Sequence, residues 1–144
     1  MIDKIGLASD HAGYEMKEFI RKLLDDKNIP YIDYGTYSAE NTSYAIYGHR
    51  LATAIEQKEV VKGIAFCGSG NGISMTMNKH KGIRAALCWN EEIAWLARAH
   101  NDANVLSLPG RYIPFEIAEK IVFSFLNVTF EGGRHQYRVD NIDI

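Results

Sequence analysis

The stretch KGIAFCGSGNGIS, residues 62–74, contains the transition on which the fold prediction rests. Its first part, KGIAFC, is mostly apolar and predicts a short buried strand. Glycines then alternate with small polar residues, which is typical of a tight turn, and we expect a helix from about Asn71 to Lys79. A strand, a glycine turn and a helix in this order predict one unit of an α/β protein.

The same order of strand and helix recurs along the rest of the chain. Further strands are predicted at KIGLAS (4–9), PYIDYG (30–35), IRAALC (83–88) and NVLSL (104–108). Each is followed by apolar residues at helical spacing, such as Met16, Ile20 and Leu24. Asn90 is the expected N-cap of the fourth helix, and Pro114 suits the first turn of the fifth. Five strands alternating with five helices predict a parallel sheet covered on both faces, a three-layer α/β/α sandwich of Rossmann-like architecture.

The composition limits the class of protein. With 144 residues, 47% of them hydrophobic and 24% charged, the chain suits one soluble domain, residues 1–144. Its formal net charge of −2 gives no general attraction to nucleic acid or to an anionic membrane. No segment approaches the ~18 apolar residues of a membrane span, and MIDKIGLASD lacks the features of a signal peptide. We therefore expect a cytoplasmic protein without nucleic acid or membrane partners.

The glycine turn differs from the nucleotide-binding loops that it superficially resembles. The dinucleotide fingerprint needs a third glycine where this chain has Ile73, and a P-loop needs a Gly-Lys-Ser/Thr ending. The amides from Ser69 to Gly72, at the start of a helix, can nevertheless bind negative charge. The sequence therefore predicts an anion-binding turn and no dinucleotide site.

A cysteine, Cys67, directly precedes this turn. A helix N-terminus favours the thiolate, which can attack a carbonyl or remove a proton from the carbon beside one. The alternative is that Cys67 is a small buried apolar residue, as for Cys88.

His100 could be the base of a hydrolase or the acid that opens a sugar ring. We expect His49 and His80 at the surface, both cysteines as free thiols, and no metal or cofactor.

Five segments together carry a resemblance to a known family. They are SDHAG (9–13), CGSGNGIS (67–74), NKHKGIRAALC (78–88), HNDANVLSLPGR (100–111) and FEGGRHQYRV (130–139). In this order, over essentially the whole chain, they resemble the type B ribose-5-phosphate isomerases, a family that also includes galactose-6-phosphate isomerase subunits. The resemblance implies a metal-free aldose–ketose isomerase that interconverts ribose 5-phosphate and ribulose 5-phosphate through an enediolate.

The resemblance also implies roles for individual residues. Cys67 would move the proton between C1 and C2, Ser69 would assist at the thiol, and His100 would open the sugar ring. Backbone amides would hold the enediolate oxygen, in the turn formed by Gly68, Ser69, Gly70, Asn71 and Gly72. Asp10 and Asn101 would contact sugar oxygens. The ring of Tyr44 would stack on the sugar.

The phosphate is expected at four basic residues, again by resemblance: His11, Arg111, Arg134 and Arg138. Arginine suits phosphate because its planar fork of donors matches the phosphate oxygens. Since the family's site lies between two subunits, part of this cluster should come from a partner chain. This implies a homodimer, or two homodimers paired into a tetramer. The polar tail, about residues 131–144, would by its charge alone be a solvated segment, but here it would contribute to the site or the dimer interface.

Two departures from the family patterns bear on the mechanism and the substrate. The family commonly has Asp-Tyr-Pro where this chain has Ser43-Tyr44-Ala45, so we expect a different loop shape over the substrate. Some relatives place a glutamate base at the position of Ile73 and lack the cysteine, whereas here Cys67 is present. The alternatives that stay open are an isomerase of a six-carbon sugar phosphate (allose or galactose 6-phosphate), a cysteine hydrolase, and a non-catalytic phosphosugar-binding module.

Overall fold

Short hydrophobic segments form one parallel, five-stranded sheet in the computed structural model, which describes residues 3–144. The strands are β1 (Ile5–Ser9), β2 (Tyr31–Asp33), β3 (Lys62–Cys67), β4 (Ala85–Leu87) and β5 (Val105–Pro109). The helices are α1 (Tyr14–Asp26), α2 (Tyr44–Glu56), α3 (Asn71–Met77), α4 (Glu91–Ala99), α5 (Phe115–Leu126) and α6 (Arg134–Asp140). The predicted alternation of strands with helices and the predicted α/β class are confirmed.

The order of strands in the sheet determines where a ligand can bind. The order is β2-β1-β3-β5-β4, and all neighbouring strands are parallel. The strand that follows β1 along the chain, β2, lies on one side of the β1/β3 pair. The strands that follow β3, β4 and β5, lie on the other side. In open parallel sheets, ligands bind beyond the carboxyl ends of the strands at such a point of reversal. The ends of β1 and β3 therefore flank the expected binding crevice.

Two hydrophobic layers enclose the sheet. Helices α1, α4 and α5 pack on one face, and α2 and α3 pack on the other. Successive side chains of a strand point to opposite faces. In β3, Ile64 and Phe66 accordingly lie in the first layer, and Ala65 and Cys67 lie in the second. None of the helices within residues 3–144 has both the length and the apolar character needed to cross a membrane.

Two predicted helix starts can be compared with the structure. The side chain of Asn90 accepts a hydrogen bond from the Ile93 amide at 2.9 Å, which confirms it as the N-cap of α4. Pro114 occupies the N-cap position of α5, immediately before its first turn and one residue earlier than predicted. Its fixed φ and missing N–H suit this junction, where the chain enters the helix.

The segment after α5 differs from a solvated tail. It forms the short helix α6, in which His135 and Val139, four positions apart, are buried. Beyond α6, the carboxylate of Asp143 accepts a hydrogen bond from the Gly82 amide at 3.0 Å, which ties the end of the tail to the loop before β4. The sequence pattern did not reveal this helix because its buried face contains a histidine and only one strongly apolar residue.

Gly13 allows the closest approach of α1 to the sheet. A Cβ added there would lie 2.5 Å from the carbonyl carbon and oxygen of Phe66 in β3. We expect Gly13→Ala to lower the free energy of unfolding by about 1–3 kcal/mol, because the backbone itself would have to shift. Gly68→Ala is the matched control, since its Cβ would lie at an ordinary 3.4 Å from the Ala12 Cβ. Urea denaturation gives the free energy of unfolding of both variants, and equal values for the two would contradict this prediction.

Candidate active site

The loops after β3 and β5 are joined at the carboxyl edge of the sheet. The Gly110 amide donates to the Cys67 carbonyl at 2.9 Å, and the Arg111 amide donates to the Gly68 carbonyl at 3.0 Å. These bonds extend the pairing of the two strands beyond their ends. The positions of Cys67 and Arg111 relative to each other are therefore set by the backbone.

The glycine turn exposes backbone amides next to Cys67. Gly70 has a φ of +80°, a conformation that only glycine adopts readily, and it precedes α3 directly. The hydroxyl of Ser69 accepts from the Asn71 amide at 3.2 Å, whereas the amides of Ser69 and Gly70 have no acceptor among residues 3–144. The ring of Tyr44 lies directly on Gly72, where a Cβ would have no room. The turn is thus a set of donors with an aromatic wall beside it.

The two cysteines differ in their surroundings. Both are buried free thiols. Burial raises the pKa of Cys88 to about 12, so this thiol carries no appreciable negative charge near neutral pH. Cys67 lies at the end of β3, beside the donors of the turn. Cys88 is the buried apolar residue that the sequence predicted, whereas Cys67 adjoins the backbone amides of the glycine turn.

The turn after β1 presents a carboxylate and an imidazole. Asp10 is buried, and its Oδ1 accepts from the Gly13 amide at 3.0 Å, which leaves the other oxygen available to a ligand. The Nδ1 of His11 lies 3.1 Å from the Thr42 amide nitrogen and 3.2 Å from the Thr42 carbonyl oxygen, so its partner depends on the tautomer. When Nδ1 accepts from the amide, the hydrogen is on Nε2, which can donate to an anion. The sequence did not identify Thr42, because it is distant from His11 along the chain.

Arg111 provides positive charge at the same edge. A Cβ on Gly68 would lie 3.6 Å from the Cδ and 3.7 Å from the Nη1 of Arg111, so the guanidinium extends along the glycine turn. It makes no ion pair with any residue in the described part of the chain, 3–144. The charge is therefore free for an anionic ligand.

The predicted site residues that follow α4 and those of α6 lie at the opposite edge of the sheet, the amino edge, where the strands begin. His100 follows the last residue of α4, and the Asn104 carbonyl accepts from the Gly63 amide at the start of β3. Cys67, by contrast, pairs with the last residue of β5. At ~3.3 Å per residue, the length of β5 separates these edges by about 16 Å. Within one chain, Cys67 and His100 are not brought together.

At this amino edge, His100, Glu131 and His135 form what we call the histidine cluster. The Nε2 of His100 lies 3.5 Å from Glu131 Oε1, and the Nε2 of His135 lies 3.6 Å from the same oxygen. The two imidazoles stack at 4.1 Å with 15° between their planes. Burial lowers the pKa of His135, and the nearby His100 and Arg134 lower it further. These surroundings therefore favour the neutral form of His135.

Sequence reasoning did not identify Glu131 or His135. The only signal was their spacing of four residues, which places two side chains on one face of a helical turn. The Glu131 amide donates to the Ala99 carbonyl at 2.9 Å, and this bond holds the start of the tail against the end of α4. The tail thereby meets His100, which is distant from it in sequence.

The basic residues of the tail point away from the core. Arg134 and Arg138 lie four positions apart on α6, and both are exposed. Neither has a carboxylate partner within 4 Å among residues 3–144. Asn101, next to His100, is exposed as well. These residues can therefore reach a ligand outside their own chain.

Two further histidines pair on the opposite layer. His49 is exposed, as expected, and His80 is half-buried. The Nδ1 of His49 lies 2.7 Å from the Nε2 of His80, whose Nδ1 lies 2.8 Å from the Glu56 carboxylate. Both nitrogens of His80 are thus occupied by protein partners.

Known proteins of one family are similar to this chain over nearly its whole length. A family model described as Ribose/Galactose Isomerase matches residues 5–142. Ribose-5-phosphate isomerase B of Escherichia coli (strain K12) is 43% identical over 139 residues, covering 96% of this chain and 93% of that protein. A crystal structure of a ribose 5-phosphate isomerase from Thermotoga maritima has a TM-score of 0.96 at 47% identity, over 98% of this chain and 97% of the other.

A further solved relative contains a ligand. Ribose-5-phosphate isomerase B from Mycoplasma genitalium, with bound ribulose-5-phosphate, has a TM-score of 0.93 at 40% identity, over 99% of this chain and 95% of the other. These relatives agree with the resemblance of the five sequence segments. Because the family model spans nearly the whole chain, this protein belongs to the ribose/galactose isomerase family.

Proposed function

We propose that this protein interconverts D-ribose 5-phosphate and D-ribulose 5-phosphate, with Cys67 as the group that moves the proton. The observation that carries this proposal is the position of Cys67 at the β1/β3 crevice, beside a turn whose Ser69 and Gly70 amides have no acceptor among residues 3–144. The named relatives from Escherichia coli and Mycoplasma genitalium support the choice of substrate.

The chemistry requires one base and one site for negative charge. The Cys67 thiolate takes the proton from C2 of the open-chain aldose, and the electron pair of the broken C–H bond forms the C1=C2 bond of an enediolate. Negative charge then develops on O1, where the amides of the turn donate to it. Cys67 returns the proton to C1, and the hydrogen of the C2 hydroxyl moves to O1, which gives the ketose. Since the oxygen of Ser69 already accepts from Asn71, its hydrogen is free to stabilise the thiolate.

The ring-opening residue comes from a second copy of the chain in this proposal. Ribose 5-phosphate is mainly cyclic, so a proton donor and acceptor must act at the ring oxygen and O1. His100 has this chemistry, but it lies at the other edge of the sheet from Cys67. A homodimer that places the amino edge of one copy against the carboxyl edge of the other would bring the two residues together. A tetramer would then contain two such dimers.

The phosphate is bound by basic residues of both copies. His11 and Arg111 belong to the carboxyl edge, and Arg134 and Arg138 reach across from the partner's α6. Their charges supply the local attraction that the net charge of −2 does not provide. Because Arg111, Arg134 and Arg138 have no ion-pair partner within residues 3–144, no internal salt bridge needs to break when phosphate binds.

The sugar lies between these groups. Asp10 at the carboxyl edge and Asn101 from the partner hydrogen-bond to its hydroxyls, and the Tyr44 ring covers it from the side of Gly72. The position of Tyr44 in the first turn of α2, where Ser43 is the N-cap, supports this assignment. The wall on this side of the pocket is therefore held by a helix and not by a loose loop.

We further propose that residues 1–144 act as one domain in the cytoplasm. Both cysteines are buried free thiols, which suits a reducing compartment. The segment 131–144 contributes Arg134 and Arg138 to the site. Neither nucleic acid nor membrane takes part, in keeping with the small net charge.

Removal of the thiol tests the role of Cys67. We expect Cys67→Ala to reduce the turnover of ribose 5-phosphate at least about 10³-fold while substrate binding is retained, because the base is lost and the phosphate site is intact. Ketose formation is measured without added metal, with allose 6-phosphate and galactose 6-phosphate as competing substrates. Cys88→Ala is the matched control and should keep near-normal turnover. Near-normal turnover by Cys67→Ala would contradict the proposed role of Cys67 as the group that moves the proton.

Loss of one arginine tests the phosphate site. We expect Arg134→Ala to raise KM for ribose 5-phosphate about tenfold with a smaller change in kcat, because a charge-assisted hydrogen bond to phosphate is lost. Arg50→Ala, which removes an exposed arginine from α2, is the control. The proposed phosphate site is contradicted if unphosphorylated ribose and ribose 5-phosphate are turned over equally fast, or if both variants have the wild-type KM.

Mixed dimers test whether the site contains two chains. Cys67→Ala and His100→Ala chains are co-expressed with different tags and purified over both tags. In each mixed dimer one site would contain an intact Cys67 and an intact His100, so we expect up to about half of the wild-type activity. Pairing Cys67→Ala with Arg111→Ala is the control, because these residues share one edge and no site becomes intact. Absence of rescue in the first pair would show that both groups act from one chain.

A further inference from the structure

The spacing within the histidine cluster differs from that of a hydrogen-bonded network. Glu131 Oε1 lies 3.5 Å from His100 Nε2 and 3.6 Å from His135 Nε2. These distances are at or beyond the limit for N–H···O hydrogen bonds. Two ligands on a tetrahedral Zn²⁺, each bound at ~2.0–2.1 Å, lie about 3.3–3.4 Å apart. The three ligand atoms all lie within 4.8 Å of one another, so small side-chain movements would bring them to that geometry.

A second observation concerns the inner histidine. His135 is 7% exposed, and its Nε2 has no hydrogen-bond partner among residues 3–144. A buried imidazole nitrogen is rarely left without a partner. This nitrogen faces Glu131 and lies next to the ring of His100. The space next to His135 Nε2 is therefore suited to an atom that accepts the lone pair of this nitrogen.

We propose that His100, Glu131 and His135 form a binding site for Zn²⁺ or a similar late first-row divalent ion. Imidazole and carboxylate are ligands that such metals prefer, and two imidazoles distinguish them from Mg²⁺, which prefers oxygen. Glu131 is half-exposed, so water can complete the tetrahedron. The two imidazoles are stacked with 15° between their planes, so binding requires their side chains to rotate until both Nε2 lone pairs point at the ion. This proposal modifies the expectation from sequence spacing, which foresaw no metal site.

The charges around the histidine cluster limit its affinity for a metal ion. Glu131 contributes one negative charge, whereas Arg134 and Arg138 of α6 are positively charged neighbours of His135. The edge of Trp95 faces the His100 ring at 5.7 Å and adds no charge. The arginines oppose a bound cation, so binding depends on coordination by the imidazoles and not on general electrostatic attraction. Mg²⁺ should accordingly not bind.

A bound metal would inhibit the enzyme, and this consequence rests on the proposed function. His100 opens the sugar ring with the same imidazole that the metal would bind. Coordination of its Nε2 occupies the lone pair needed to accept a proton. The metal would therefore act as a reversible inhibitor and take no part in the isomerisation itself.

Calorimetric titration of chelator-treated protein with Zn²⁺ tests the site independently of activity. We expect Zn²⁺ to bind the wild type, and Glu131→Gln and His135→Gln each to lose affinity at least about tenfold. His80→Gln is the matched control, because it disrupts the other histidine pair and should leave this affinity unchanged. Circular dichroism confirms folding, and the exposed Glu131 remains informative if the buried His135 variant does not fold. The proposal is overturned if the wild type binds no Zn²⁺ or if Glu131→Gln binds it equally well.

Inhibition gives the second measurement. Zn²⁺ should lower the conversion of ribose 5-phosphate by the wild type, a chelator should restore it, and Glu131→Gln should need at least about tenfold more Zn²⁺ for the same fractional loss. Equal inhibition of the variant would place the metal elsewhere, for example on Cys67, and would contradict the proposal. If the wild type has no isomerase activity even without metal, the proposed function fails, while calorimetry still decides the metal site.

Discussion

The direction of the helices in a parallel sheet is the constraint on which the rest of this site depends. Each connecting helix begins at the carboxyl edge and ends at the amino edge, so residues that come after a strand and residues that come after a helix lie on opposite sides. Cys67 ends β3, whereas His100 comes directly after α4. The fold thus separates the proposed base from the proposed ring-opening group by the length of a strand, about 16 Å. A site that uses both requires a second copy of the chain.

The same fold gives its two cysteines different properties. Cys88 comes directly after the edge strand β4 and is enclosed by the apolar layer of α1, α4 and α5, where burial raises its pKa to about 12. Cys67 is almost as buried, but it adjoins the Ser69 and Gly70 amides, which can stabilise charge. The segment after each strand, a glycine turn or a packed helix, therefore distinguishes the surroundings of the two thiols more clearly than their exposure does.

The sequence predicted the features that depend on local pattern. The strand KGIAFC was predicted with the bounds that β3 has, and Asn90 was recognised as a cap, because periodicity and capping are local. Helix α6 was not predicted, since its burial depends on contact with residues distant in sequence. Glu131 and His135 were missed for the same reason, because only folding brings them to His100. The roles of single residues came from resemblance to a family, which spacing alone did not supply.

The dependence of α6 on α4 connects two parts of the proposed reaction. A helix as short as Arg134–Asp140 is not stable by itself in water, because nucleation is costly and few bonds compensate for it. Its order comes from the burial of His135 and Val139, from the bond of Asp143 to the loop before β4, and from the bond between the Glu131 amide and the Ala99 carbonyl. That bond lies next to His100. Any change that detaches α6 would therefore displace the arginines proposed to bind phosphate and alter the surroundings of the histidine proposed to open the ring, so the two proposed roles depend on the same packing of α6.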